Sequence, residues 1–252
     1  MNKLILVIVC ALFMFLTTGC GGLFNAIEKD TVMVKKITQE HNSNEVNYEG
    51  VLSQDTVKTL SLNAVNKYFN KKLTMDVVQF ELMAIDQKKF KDLLDKAEYG
   101  VDSKPKHNQG FKFDIKKELN KFPDGLFYMT LTLSADRNEV YDIVLNAKDG
   151  EVIKIAKVDQ ISKVTYNDNE PNVIMDGVVE IANQFIQDKG SYPLSDLILD
   201  EKGIRSGIVA ELYYMSKDNQ SLSYSIIINT RTKQVVGFNK EVMAMLSYFS
   251  GS

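Results

Sequence analysis

The 252-residue chain has no tryptophan and only two histidines and two cysteines. The lack of tryptophan disfavours a carbohydrate-stacking platform. His41 and His107 are too few for a zinc site of the usual kind, which needs three or four ligands. Cys10 and Cys20 both lie near the N-terminus, so the rest of the chain has neither a disulfide nor a free thiol. We therefore expect no metal site and no cofactor.

The chain also lacks a basic block, and its formal net charge at pH 7 is −3. Proteins that bind nucleic acid present clusters of Lys and Arg to the phosphates, so we expect no nucleic acid partner. The sequence contains no glycine-rich phosphate loop and no Gly-x-Ser-x-Gly nucleophile motif. Acidic residues are numerous, but most, including Glu211, fall where a strand or helix is expected to face water. These absences predict a protein that is not an enzyme.

The N-terminal segment has the pattern of a lipoprotein export signal. Lys3 precedes a 13-residue apolar run, Leu4–Leu16, that is too short for a comfortable transmembrane helix. Small residues then lead to Cys20, which completes a secretory signal with a lipid-accepting cysteine after the cleavage point. We predict that residues 1–19 are removed, that Cys20 carries the lipid (palmitate among its acyl chains), and that the protein lies at the outer face of the cytoplasmic membrane. An uncleaved signal anchor is the alternative.

An internal repeat follows a polar tether. Residues 20–53 are predicted to be the lipidated N-terminus and the tether, in which Val32 and Val34 alternate with polar neighbours, as in a short edge strand. Beyond it, the 13 residues from Tyr141 align without a gap on the 13 residues from Tyr224. We therefore predict two copies of one structural unit. Their bounds are 54–160 and 161–252.

Each copy is predicted to begin with a helix and to continue as antiparallel strands. The helical spacing is that of Leu62, Val65 and Phe69 in the first copy and of Val178, Ile181 and Phe185 in the second. In Phe127–Leu133 apolar and polar residues alternate, so one face of the sheet is expected to be buried and the other to face water. The predicted class is α+β, with two repeats of a helix packed on a small antiparallel sheet.

Several smaller elements are also predicted. The first copy carries an insertion at about 86–117, which holds an amphipathic helix. The second copy ends in a helix over Val242–Phe249 that is expected to form a lid on the core, and a partner-binding face is the alternative. Asp149-Gly150 is typical of a tight hairpin. The second copy has Thr232-Lys233 there, which predicts another turn type or a longer turn. A strand is expected over Leu194–Leu199, near an edge of the sheet.

The insertion helix is rich in lysine. Its lysines alternate with acidic residues, which predicts an ordinary helix face exposed to water. The alternative is a face that binds anionic lipid or wall polymer. The lysines are Lys88, Lys89, Lys91 and Lys96.

Three tyrosines are candidates for a partner-binding surface. The strand alternation predicts that Tyr128 and Tyr213 point outward, and Tyr248 is expected to do so from the C-terminal helix. Exposed tyrosines are favoured at protein interfaces. Tyr141 and Tyr224 share the inward register and are predicted to be core residues.

The repeated segments resemble the terminal strand pair of PepSY-type domains. Tyr141–Ile155 and Tyr224–Phe238 share an aromatic residue, alternating apolar positions, an Asn, a turn and a paired apolar dipeptide. The first copy has the usual Asp-Gly-Glu-Val at 149–152, from which the second copy departs. PepSY-type domains are cystatin-like in fold, so the resemblance implies an exported binding or inhibitory module with no catalytic residues. A looser likeness is to lipoprotein carriers and to sporulation and germination lipoproteins of spore-forming bacteria.

The expected function is that of a non-enzymatic, membrane-anchored lipoprotein of a Gram-positive envelope. It would present a sheet edge or the insertion to an envelope protein, such as a cell-wall enzyme, and regulate it. The alternative is a carrier of lipid or another apolar ligand, whose cavity would be lined by Phe127, Met129, Leu212 and Tyr214. A wall or peptide hydrolase is a third option, and it requires a carboxylate pair that the sequence does not reveal.

Overall fold

One antiparallel sheet of eight strands forms the centre of the computed structural model. The structure describes residues 51–99, 115–161 and 177–250, except 202, 206, 219 and 220. The helices are α1 (Gln54–Phe69), α2 (Gln87–Tyr99), α3 (Ile115–Lys121), α4 (Val158–Ile161), α5 (Val178–Lys189) and α6 (Glu241–Ser250). The strands are β1 (Val78–Ile85), β2 (Leu126–Leu133), β3 (Val140–Asn146), β4 (Val152–Lys157), β5 (Leu197–Leu199), β6 (Val209–Ser216), β7 (Leu222–Asn229) and β8 (Gln234–Lys240). The predicted α+β class is confirmed.

The strand order shows how the two copies meet. It is β1-β2-β3-β4-β8-β7-β6-β5, so the last strand of each copy pairs with the last strand of the other. Ile155 lies opposite Phe238, its own counterpart 83 residues later. The two copies are therefore related by a pseudo-twofold axis that passes between these two residues, and they share one sheet.

Helices α1 and α5 cover one face of this sheet, which we call the first face. The core beneath them includes Tyr141 and Tyr224, which are 0% and 2% exposed, and their predicted core position is confirmed. The four side chains that would line a carrier cavity belong to this same cluster, together with residues of α1 and α5. They are Phe127, Met129, Leu212 and Tyr214, all buried.

The C-terminal ends of α1 and α5 meet. Helix α1 starts at a Ser53 cap, whose hydroxyl accepts a hydrogen bond from the backbone N–H of Thr56 at 3.2 Å. At the other end, Nζ of Lys189 in α5 donates to the carbonyls of Lys67 and Tyr68 at 2.9 and 3.1 Å. A cation at the carbonyl end of a helix is favourable. This lysine therefore joins the two copies above the sheet.

The two hairpins that end the copies have matching geometry. The ladder shifts register between Val144 and Leu145, and again at their counterparts Ile227 and Ile228. Gly150 has φ 75°, and Lys233, which is 83 residues later, has φ 53°.

The prediction of a different turn in the second copy is therefore wrong. The left-handed position is kept, although a lysine occupies it in place of glycine. In each copy the side chain of an asparagine, Asn146 or Asn229, accepts a backbone N–H from the turn at 3.0 Å, which helps to fix this conformation.

Replacing Lys233 with glycine is expected to stabilise the protein by about 0.5–1 kcal/mol. A left-handed conformation costs a non-glycine residue about 1–2 kcal/mol, and the greater flexibility of glycine in the unfolded chain offsets part of that gain. Urea unfolding monitored by circular dichroism measures the change. A midpoint that stays the same or falls would contradict the shared turn geometry.

The other face of the sheet, which we call the second face, is covered rather than open. Helices α2 and α6 lie over it, and Phe90 and Leu94 of α2 are fully buried against it. Val242 and Met243 of α6 join the same cluster, so the predicted lid role of the C-terminal helix is confirmed. The expectation of one solvated face is wrong, because the insertion and the C-terminal helix bring apolar stripes to the face of the sheet that carries Tyr128.

One predicted strand is shorter than expected. Leu194–Asp196 forms a 3-10 turn, and only Leu197–Leu199 pairs with β6. The position at an edge of the sheet is as predicted.

Some predictions fall outside the described residues. These are the signal at 1–19, Cys20, Val32, Val34, His41 and His107. Residues 51–53 of the predicted tether are described, and the N–H of Leu52 donates to the carbonyl of Ala147 at 3.2 Å. In the described part of the chain, no helix is long and apolar enough to cross a membrane.

Candidate functional site

The two edges of the sheet differ in length. The β5 edge has three residues, whereas the β1 edge has eight. A strand at a sheet edge presents unpaired N–H and C=O groups, and proteins usually protect such edges by keeping them short or charged. Within the described ranges no strand pairs with the outer side of β1. The β1 edge is therefore the candidate binding site.

The backbone groups that point away from the sheet follow from the register. Ser134 donates its N–H to the carbonyl of Val77 at 2.9 Å, so this pair is hydrogen-bonded, and the following pair, Val78 and Leu133, is not. Every second residue of β1 then directs its N–H and C=O outward. These residues are Val78, Phe80, Leu82 and Ala84.

The side chains beside this edge define what an added strand would meet. Phe80 and Leu82 are half-buried on the first face, where they pack against the core under α1. Gln79 and Glu81 are exposed and, by alternation, lie on the opposite face. An incoming strand gains most if it places apolar side chains beside Phe80 and Leu82 and a polar or basic one beside Glu81.

An apolar patch continues the edge toward the N-terminus of β1. Met75 and Val77, in the 3-10 turn before the strand, are 45% and 38% exposed. Exposed apolar side chains next to an unpaired edge are typical of a protein-binding surface. The opposite edge also exposes Ile198, at 47%, but offers only a short strand.

Two of the three tyrosines predicted to face outward are inside the protein. Tyr213 is 0% exposed and Tyr248 is 7% exposed. Their rings contact each other edge to face, with centroids 5.0 Å apart, because α6 lies on the second face. Burial raises the pKa of Tyr248 to about 12, and nearby Asp200 adds to the effect. The predicted exposure of these two residues is therefore wrong.

Tyr128 lies apart from this pair. It is half-buried on the second face and packs against the cluster formed by α2, α3 and α6. Burial raises the pKa of its phenol, with a further contribution from the carboxylate of Asp142. The structure thus brings Tyr213 and Tyr248 together and leaves Tyr128 on the first copy.

A buried polar network lies under α6 and was not predicted. Glu211 is 3% exposed, so the expectation that it faces water is wrong. Its Oε1 accepts hydrogen bonds from the hydroxyls of Ser225 and Ser247, both at 2.7 Å. Arg205 approaches Oε2 at 4.0 Å and donates to the carbonyls of Ser247 and Tyr248. The network therefore holds the C-terminal turns of α6 on the sheet.

Charged side chains also lie on the part of the second face that the first copy forms. Burial lowers the pKa of the Lys154 ammonium, against the opposing effect of Asp142 and Glu211. Asp142 accepts a hydrogen bond from the hydroxyl of Thr130 at 3.1 Å. Among the residues that the structure describes, no group of three or more His, Cys, Asp or Glu side chains is arranged to hold a metal ion.

The sequence signal for this network is weak. Ser225 and Asn239 lie on neighbouring strands at paired positions, and both are buried. Small polar residues at these positions are equally typical of a solvated face, so the pattern alone does not separate the two cases.

Comparisons with known proteins give little support for an identity. A comparison with protein families finds no match, and neither does a comparison with curated proteins. Among solved structures, the chain is similar to the "Bacillus megaterium YpeB C-terminal domain", with a TM-score of 0.42 and 10% sequence identity. The similarity covers 75% of this chain and 63% of that one, so the chain spans less than two thirds of that structure.

Proposed function

We propose that this protein is a non-enzymatic binding lipoprotein that takes up an extended segment of an envelope protein at β1. Lipid on Cys20 would hold it at the outer face of the cytoplasmic membrane. Each copy would be a PepSY-like unit, as the motif shared by the β3–β4 and β7–β8 strand pairs supports. The observation that carries the proposal is the eight-residue β1 edge, whose outward backbone groups no described strand pairs.

The chemistry of the edge defines the partner segment. Strand addition gives affinity through main-chain hydrogen bonds, and specificity through side chains at alternate positions. Phe80 and Leu82 favour apolar residues at every second position of the partner. Exposed Glu81 favours a basic or polar residue on the other face. Met75 and Val77 would be covered by the end of the same segment.

Photo-crosslinking in the membranes of the cells that produce the protein tests this proposal. A photoreactive amino acid at exposed Gln79 is expected to give one dominant protein adduct. Ala84→Pro removes an outward N–H without breaking the ladder to β2, so we expect it to reduce that adduct at least about tenfold. Ala84→Ser, which keeps the N–H, is expected to retain it. The adduct is identified and quantified by mass spectrometry.

Two controls make the outcome decisive. The same photoreactive group at Ile198, on the β5 edge, is expected not to give this adduct. Cys20→Ser is expected to release the protein from the membrane fraction, which tests the anchor separately. An adduct that persists at full yield in Ala84→Pro, or the absence of any adduct from Gln79, would refute binding at β1.

A further inference from the structure

A cleft lies between α2 and α3, apart from the β1 edge. Its volume is about 420 Å³, which lies in the range of small-ligand pockets. Half-buried Leu119 packs against the core of the second face and contributes to the apolar part of the lining. The polar lining consists of Gln87, Lys88, Lys91, Lys116 and Asn120.

Among the described residues, all the charged groups that line this cleft are positive, although the chain as a whole carries a net charge of −3. Lys91 has a partner, because its ammonium pairs with Asp95 at 2.5 Å. Neither Lys88 nor Lys116 forms an ion pair within the described part of the chain.

Two carboxylates close to these lysines in the sequence have other partners. Asp86 accepts the backbone N–H of Lys89 at 2.8 Å, at the start of α2. Glu118 pairs with Lys121 at 3.1 Å. Lys88 of α2 and Lys116 of α3 therefore line the cleft from different helices, and neither forms an ion pair with a described carboxylate.

We propose that this cleft binds a small ligand that carries at least two phosphate charges. Lysine ammonium groups bind phosphate as point charges, and the amides of Gln87 and Asn120 can donate to the remaining phosphate oxygens. A volume of about 420 Å³ fits a compact group, such as a soluble diphosphate or a lipid headgroup with two phosphates. This site does not depend on the proposed function, because it shares no residue with the β1 edge.

Lysine footprinting tests the site on the full-length protein anchored in vesicles. The protein in phosphatidylcholine vesicles is treated with an acetylating reagent, with and without inorganic pyrophosphate. A second sample, without pyrophosphate, uses vesicles of phosphatidylcholine and cardiolipin, whose headgroup carries two phosphates. Mass spectrometry then compares Lys88 and Lys116 with exposed Lys72 and Lys148. We expect acetylation of the cleft lysines to slow at least about threefold relative to the other two, in a salt-dependent way.

The two samples separate the sources of the phosphate. Protection by pyrophosphate alone indicates a soluble ligand, protection by cardiolipin alone indicates a headgroup, and protection by both supports the shared phosphate chemistry. Equal slowing of all four lysines, or no slowing in either sample, would overturn the proposal.

Calorimetry with matched variants provides a second readout. Lys88→Gln combined with Lys116→Gln is expected to weaken pyrophosphate binding by about tenfold or more, because two charge-assisted contacts are lost. Lys72→Gln combined with Lys148→Gln removes the same charge elsewhere and is expected to change the affinity less than about twofold. Equal weakening by both pairs would show a general charge effect and refute a site in the cleft.

Discussion

Replacing Gly237 with alanine is expected to lower the free energy of unfolding by about 3 kcal/mol, near the upper end for overpacking a filled interior. A Cβ at this position would lie 2.8 Å from the carbonyl oxygen of Ile155 and 3.1 Å from both Cα and Cβ of Ala156. Two of these three atoms belong to the backbone of β4, so the contact is relieved only if β4 moves away from β8.

The position of Gly237 makes that movement costly. It pairs with Ala156 in the β4–β8 ladder, which is the place where the strands of the two copies meet. This ladder has three residue pairs, whereas the β6–β7 ladder has seven. A small displacement of β4 from β8 therefore weakens the contact between the two copies. Chemical denaturation measures the loss of stability, and hydrogen exchange is expected to show faster exchange in β4 and β8 than in β2.

Gly177→Ala is the matched control. Gly177 has φ 85°, but the nearest atom to an added Cβ is Nζ of Lys233 at 3.9 Å, so space is open. The expected cost is about 1 kcal/mol, from the left-handed backbone alone. The two variants thus separate lack of space from lack of conformational freedom. A loss at Gly237 no larger than the loss at Gly177 would contradict close contact between the two copies.

The sequence predicts the first face well for a physical reason. Tyr141 and Tyr224 each begin a series of apolar residues at every second position of their strands, although Val144 and Ile227 on the other face are apolar as well. A period of two on a half-buried strand is a local signal, and the helices that cover this face show their own local period in Val65 and Ile181. Both signals lie within one element, so they do not depend on the rest of the fold.

The second face depends on contacts between distant parts of the chain. Tyr213 alternates with inward residues and is therefore predicted to face water, yet α6 covers it from about 30 residues away. Serine, asparagine and glutamate on that face conceal the burial, because a satisfied buried network uses the same residue types as a solvated face. The lid role of α6 was predictable from its apolar spacing, but the polar residues beneath it were not.

The sequence predicts that a sheet edge is available for binding, but not which strand forms that edge. A sheet of two copies must end in two edges, but which strands form them depends on the pairing of β4 with β8. The alternative pairing through the first strands would have buried β1 in the middle of the sheet. No pattern within Val78–Ile85 indicates which of the two pairings forms, because register and strand order depend on tertiary contacts.

Glu211→Ala is expected to destabilise the protein by about 3–5 kcal/mol, the range for removing one partner of a buried charge pair. The variant would deprive Arg205 of the carboxylate whose Oε2 lies 4.0 Å from its guanidinium. It would also remove the acceptor of two serine hydroxyl groups, of which that of the fully buried Ser225 is shielded from water. Because Arg205 also donates to the carbonyls of Ser247 and Tyr248, we expect α6 to loosen first. Urea unfolding gives the free energy, and limited proteolysis reports cleavage within α6.

Glu211→Gln separates the charge from the hydrogen bonds. Glutamine retains an acceptor oxygen at the position of Oε1, so the hydroxyls of Ser225 and Ser247 keep a partner, and only the attraction to Arg205 weakens. We expect a loss of about 1–2 kcal/mol, as for one charged hydrogen bond in a buried site. The double variant Glu211→Leu with Arg205→Met removes both charges and is expected to be more stable than Glu211→Ala alone, since it does not leave the Arg205 guanidinium without the charge of Glu211. If all three variants unfold at the same urea concentration as the natural protein, the network does not hold α6, and the packing of Tyr213 on Tyr248 must do so instead.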